Sequence, residues 1–241
     1  MRGNKLTGIY GKLPAHGDFI FRNLAPAFIN QWDEWLQLYV SASREQIGDN
    51  WLDVYLTSPI WRFVLSSGVI DETVWAGIIM PSVDRVGRFF PVSIVRPVAS
   101  NQSVANFLFT QQEWFQQVES YCLLALDGKM DVDSLDSAIN QLPHHQFEHY
   151  QATSNLGESG PSLIGLEETA DASIYDALPY LLDASLSREM SSYSLWQTEG
   201  SELIGPVIFS SQGLPPVSGI ASMLDGQWQL RNWKIPYNLK M

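Results

Sequence analysis

The chain is poor in cysteine, in basic residues and in long apolar runs, and each shortage removes a class of function. Its single cysteine, Cys122, cannot form an internal disulfide, which suits a reducing compartment. Only 14 of its 241 residues are Lys or Arg, against 26 Asp or Glu, so the net charge is −12. A surface of that sign repels polyphosphate, and counterion release, the usual source of nucleic-acid affinity, has little to draw on. The expected partners therefore include no nucleic acid. No apolar run approaches the roughly 18 residues of a membrane-spanning helix, and residues 1–10 lack the apolar stretch of a secretion leader. The expectation is a cytoplasmic protein with no direct membrane insertion.

Recognisable catalytic and nucleotide motifs are missing as well. Gly11-Lys12 and Gly128-Lys129 each lack a glycine five residues earlier and a following Ser or Thr, so neither builds a phosphate cradle with a magnesium ligand. There is no Gly-x-Gly-x-x-Gly and no Gly-x-Ser-x-Gly. Cys122 sits in Tyr-Cys-Leu-Leu-Ala-Leu, apolar surroundings that do not favour a reactive thiolate.

What is present is core material: 45% of residues are hydrophobic and 12% aromatic, enough for one large domain over residues 1–241. The charge is segregated. Residues 1–100 carry nine basic and nine acidic side chains, whereas residues 101–230 carry seventeen acids against Lys129 and Arg188 alone. That acidic stretch reads either as a solvated face or as a dock for a basic subunit.

Hydrophobic periodicity gives the elements. Thr7–Leu13 reads as a strand ending in a Pro-Ala-His-Gly-Asp turn. From Pro26 to Ile47, Phe28/Ile29, Trp32, Trp35/Leu36 and Tyr39/Val40 recur at helical spacing. A second short helix, capped by Asp49, runs through about Leu56. Ile60–Leu65, Val74–Met80 and Phe89–Val95 read as strands of an antiparallel meander. One long helix is predicted from a Ser103 cap to Gly128, then a helical piece over Ser134–Leu142 capped by Asp133 or Ser134. Residues 143–161 read as a long loop. Beyond it, Ser162–Leu166 reads as a strand, Ile174–Leu186 as a helix, and Tyr193–Thr198 and Pro206–Ser210 as strands. The predicted class is α+β, a largely antiparallel sheet flanked by helices.

Few clusters carry chemistry. His145-Gln-Phe-Glu148-His149 matches His-x-x-Glu-His, the pattern of a metal-dependent hydrolase in which two histidines grip zinc and the glutamate acts as base. Its neighbours are turn-rich rather than a long amphipathic helix, which argues against a rigid site. Asp131-Val-Asp133-Ser-Leu-Asp136 lacks the glycine and the closing glutamate of a calcium loop. Asp84-Arg85-Val86-Gly87-Arg88 places two arginines in one turn of an acid-rich chain. They either clamp a carboxylate or phosphate by bidentate contacts or pair internally with Asp84. Trp32, Trp35 and Trp114 lie on apolar helical faces; Trp196, Trp228 and Trp233 stand among polar residues and read as a contact surface.

Several stretches, in order, carry a resemblance: Gly8-Ile-Tyr-Gly-Lys-Leu-Pro-Ala-His-Gly-Asp-Phe, Trp32-Asp-Glu-Trp-Leu-Gln, Trp51-Leu-Asp-Val-Tyr-Leu-Thr-Ser-Pro-Ile-Trp-Arg-Phe, Met80-Pro-Ser-Val-Asp-Arg-Val-Gly-Arg-Phe-Phe-Pro and Ser194-Leu-Trp-Gln-Thr-Glu-Gly-Ser. With Gly213-Leu-Pro-Pro and Met223-Leu-Asp-Gly, they make the chain similar to the TagF (ImpM) family of type VI secretion accessory proteins, most specifically over residues 1–100. The resemblance implies a profilin- or longin-like α/β/α scaffold and a non-enzymatic regulator without a cofactor. It also implies post-translational repression through a forkhead-associated-domain protein of the same system. The motif positions it carries over are Lys12, Gly17 and Asp18 in a first loop, Ser82, Asp84, Arg85, Gly87 and Arg88 in a second, and Thr198, Glu199, Gly200 and Ser201 in a third, beside Trp196. These loops are expected either to converge on one partner-binding rim or to be turns that the fold requires. The alternatives to a regulator are the hydrolase built on His145, Glu148 and His149 and an assembly scaffold docking a basic subunit through the acidic tract.

Overall fold

The computed structural model describes residues 6–99, 102–143, 163–165 and 173–237. Seven strands, β1 (Gly8–Gly11), β2 (Ile20–Arg22), β3 (Trp61–Leu65), β4 (Val74–Met80), β5 (Val92–Val98), β6 (Tyr193–Thr198) and β7 (Val207–Gln212), join in one sheet. Its order is β2-β1-β5-β4-β3-β6-β7, and every neighbouring pair is antiparallel. The expected meander is the centre of this sheet, β3-β4-β5, and the α+β class holds.

Alternation along the strands feeds two cores. On β4, Val74, Ala76, Ile78 and Met80 point to one face while Trp75 and Ile79 point to the other. Helices cover both faces, so β3 and β4 are buried at every position. That is why β4 reads as a continuous apolar run, and β3 as one interrupted by Arg62, rather than as apolar-polar alternation.

Helix α1 (Pro26–Ile47) starts on Pro26, whose fixed φ suits a first helical turn, and stops at Gly48. It buries Phe28, Trp32, Trp35, Leu36 and Tyr39 on one face. The indole N–H of Trp32 donates to Ser93 Oγ at 3.0 Å and that of Trp35 to the Pro215 carbonyl at 3.1 Å, so neither is left unsatisfied in the core. The short α2 (Trp51–Leu56) packs in the same layer.

The opposite layer holds α3 (Val104–Thr110), α4 (Gln112–Leu126), α5 (Val132–Gln141) and α6 (Leu178–Glu189); the last short helix is α7 (Ser222–Asp225). Ser103 caps α3 as expected, accepting from the Asn106 N–H. The single long helix expected from Ser103 to Gly128 is two helices, because buried Gln111 leaves helical geometry (φ −92°, ψ 34°). The break lets Phe107 of α3 and Trp114 of α4 both face the buried Arg96 guanidinium, at 5.8 and 5.1 Å. Asp131, rather than Asp133 or Ser134, caps α5, accepting from the Ser134 N–H at 2.7 Å.

Three further boundaries differ from expectation. Strand β2 has three residues, too few for a period-2 pattern to register, and exists because β1 templates it. The expected Phe89–Val95 strand starts three residues later at Val92, since the preceding residues close the 84–88 turn. The expected strand at Ser162–Leu166 has no regular structure over 163–165, and its two end residues lie outside the described residues. Among the described residues, no helix is long and apolar enough to cross a membrane.

Candidate functional site

Register places the three motif loops at one end of the sheet. Gly11 and Met80 both pair with Val92, Ile79 pairs with Trp61, and Arg62 pairs with Gln197. The chain therefore leaves β1, β4 and β6 on the same side. Loops one and two touch. Loop three exits two strands from β4, about 10 Å away by strand spacing.

Loops one and two are tied by a polar knot around Asp84. Its carboxylate accepts from Lys12 Nζ at 3.0 Å and from Arg88 Nε at 2.6 Å. It also takes the backbone N–H groups of Val86 (3.1 Å) and Arg88 (2.8 Å). Burial pushes the Asp84 pKa upward, but the Arg88 N–H, the Lys12 ammonium, the Arg88 guanidinium and the Val86 N–H more than reverse this. They hold the carboxyl well below the usual carboxylate range. Gly87, at φ +87°, supplies the left-handed step that brings Arg88 back onto Asp84.

Further bonds fix the two loops against each other and the sheet. The Ser82 hydroxyl donates to the Lys12 carbonyl at 2.6 Å. Tyr55 Oη accepts from the Ser82 N–H (3.0 Å) and donates to its carbonyl (3.1 Å). The Arg85 N–H donates to the His16 carbonyl at 2.9 Å, and Arg88 Nη2 to the Gly17 carbonyl at 2.7 Å. Phe19 lies beneath the Lys12 ammonium, 4.9 Å from ring centre to Nζ.

Lys12, Ser82 and Asp84 are buried, so they shape the rim from beneath. Asp18, Arg85 and Arg88 are exposed. The two readings of the arginine pair divide between its members: Arg88 pairs internally with Asp84, whereas Arg85 has no ion-pair partner among the described residues.

The third loop is organised separately. Thr198 is buried and its hydroxyl accepts from the Gly200 N–H at 3.0 Å, while the Ser201 N–H donates to the Ile204 carbonyl at 2.7 Å. Ser201 is half-buried and Glu199 exposed. Glu199 lies 3.5 Å from Arg62, which is itself held by Glu119 through two bonds of 2.5 and 2.8 Å.

The tryptophan reading is corrected. Trp196 is fully buried, its ring 4.9 Å from Phe63 and 5.5 Å from Trp35, because its strand position faces the α1 layer. Trp228 and Trp233 are half-buried and pack on each other and on Phe209, fastening the closing segment to β7. Cys122 is buried in the other core, and burial pushes its thiol up to about 12.

His145, Glu148 and His149 lie outside the described residues; among the described residues no group of three or more His, Cys, Asp or Glu side chains could hold a metal ion. Several acids of the 101–230 tract have local structural duties. Asp131 and Asp176 cap helical turns, Asp136 accepts from Asn23 at 2.7 Å, and Asp183 is buried. Asp183 was invisible to sequence reasoning because its partners, the Ala105 N–H and Tyr193 hydroxyl, lie on other elements, Ala105 78 residues away.

Residues 8–142 match the family model described as the TagF N-terminal domain, type VI secretion system-associated. That span contains loops one and two and ends after α5. Among solved structures, the crystal structure of PA0076 from Pseudomonas aeruginosa PAO1 is 32% identical, with a TM-score of 0.78, and the match covers 98% of this chain and 99% of that chain. No curated protein matches the sequence.

Proposed function

The chain belongs to the TagF family of type VI secretion system-associated proteins, and from that premise we propose that it restrains the secretion apparatus after translation by binding a forkhead-associated-domain protein of the same system. It works by surface complementarity and performs no chemistry of its own. The observation that carries this reading is the family match over residues 8–142, which spans both loops of the Asp84 knot. A carboxylate taken up by four donors is suited to holding a surface in shape, since none of its capacity is left for a substrate. The exposed arginines on that knot would make association dependent on ionic strength.

Titration of the purified full chain with the purified forkhead-associated-domain protein of its own system tests this. Binding that tightens as salt is lowered is the expected result. Absence of binding at low ionic strength, where charge attraction is strongest, overturns the reading.

A further inference from the structure

Arg85 is placed unlike most of the described cations of this acid-rich chain. Lys12, Arg22, Arg62, Arg88, Lys129 and Arg231 each sit on a carboxylate. Arg85 has none within ion-pair distance among the described residues, although its neighbours Asp84 and Asp18 are acids. Asp84 is taken by Lys12 and Arg88, and Asp18 accepts from the Phe19 N–H at 2.8 Å. Among the described residues Arg44 and Lys234 also have no ion pair, but Arg44 is laid over the Trp51 ring at 5.6 Å, and no second feature accompanies Lys234.

At Arg85 two further features do. A Cβ on Gly17 would stand 3.2 Å from Arg85 Nη2, so the bare glycine lets the guanidinium lie close against the loop-one backbone. The same two loops are locked by the Arg85 N–H to His16 and by Arg88 Nη2 to Gly17, which makes the position preorganised. The two loops also lead into exposed apolar side chains that form an apolar ledge: Val86, next to Arg85 in the chain, is 66% exposed, Phe19, two residues beyond Gly17, 38%, and Phe21 on the edge strand that follows 61%. Phe19 is held in place by Tyr10 and Phe90, with ring centres at 6.0 and 4.9 Å.

We propose that Arg85 is the receptor for an oxyanion-bearing side chain, a carboxylate or a phosphate monoester, on an extended segment of the protein partner. Phe19, Phe21 and Val86 receive that segment's apolar neighbours. Arg88 is a positioning residue that acts through Asp84 and Gly17. A planar guanidinium matches either oxyanion through two parallel hydrogen bonds. The net charge of −12 and the apolar ledge favour a peptide side chain over a polyphosphate. The inference deepens the partner-binding reading above and rests on it for the partner's identity.

Two measurements on the full-length protein test it. In the first, 15N-labelled protein is titrated with inorganic phosphate, and the Arg85 Nε–H resonance, assigned by its disappearance in Arg85→Gln, is followed. A saturable shift larger than that of exposed Arg44 is expected. An Arg85 shift no larger than that of Arg44 overturns the proposal.

In the second, affinity for the forkhead-associated-domain protein is compared between wild type and Arg85→Gln, with the partner used before and after phosphatase treatment. A loss of about tenfold is expected for a charged hydrogen-bonding contact. A loss confined to the untreated partner identifies a phosphate monoester, and an equal loss with both identifies a carboxylate. Gly17→Ala, which crowds the guanidinium without removing it, is expected to give a smaller loss. Wild-type affinity in a folded Arg85→Gln variant overturns the proposal and leaves the partner-binding reading standing. If the wild-type chain does not bind at all, that reading fails, and the phosphate titration alone decides the role of Arg85.

Discussion

Lys12 and Asp84, 72 residues apart in the chain, meet at 3.0 Å beneath the rim, and both are buried. The contact joins the turn after β1 to the turn after β4, and Arg88 joins the same carboxylate from the solvent side. A buried charge that loses its partner is costly, so the knot acts as one unit.

Replacing Asp84 with Asn should loosen that unit and change the acid limb of stability. The native carboxyl titrates below its unfolded value of about 3.9, so the unfolded chain binds more protons in that interval and stability rises with pH. The contribution of Asp84 is present above about pH 3.9 and is lost as pH falls toward its folded pKa. Urea unfolding followed by tryptophan fluorescence should show a lower midpoint for Asp84→Asn at pH 7 and a flatter dependence on pH in the acid range. Equal midpoints and equal slopes would show that the knot carries no stability.

Asp183 predicts the opposite sign. Burial raises its pKa against the opposing hydrogen bonds from Ser103, the Ala105 N–H and Tyr193. Above about pH 3.9 the unfolded carboxyl has lost its proton while the native one retains it, so this group's contribution to stability falls as pH rises through that window. Asp183→Asn keeps an acceptor oxygen for Ala105 and Tyr193 but does not ionise. The measurable outcome is the disappearance of this downward component as pH rises above about 3.9 toward the raised folded pKa; an unchanged slope would remove Asp183 as its source.

Trp196→Ala should unfold the protein more easily by about 3–5 kcal/mol, the range for deleting a large aromatic from a core. Its ring is enclosed by Trp35, Phe63 and Phe209. Denaturant titration distinguishes this from a surface role, for which the change would be within about 0.5 kcal/mol.

Much of the scaffold was legible because its signals are local. Pro26, the apolar spacing and Gly48 delimit α1, an uninterrupted apolar run bounded by turns delimits β4, and the mixed aromatic and polar run Tyr193–Thr198 delimits β6, each at the observed residues. The break at Gln111 was not legible, since what it accommodates is a guanidinium from β5 packed on rings of two helices, a contact that no local spacing records. Nor was β2, whose pairing is supplied by β1. At the site, the motif loops and their arginines could be named from sequence, but their division of labour could not.

By itself the sequence determined the amphipathic helix, the antiparallel centre of the sheet, the segregation of charge and the family, because these depend on composition, period and short motifs. Only the tertiary structure decided that Lys12, Ser82, Asp84, Trp196 and Thr198 are buried while Arg85 is exposed, with no ion-pair partner among the described residues. Whether a charge is spent internally or left for a partner depends on which groups lie within a few ångströms of it. For Asp84 one of those groups is 72 residues away, and no spacing along the chain encodes that distance.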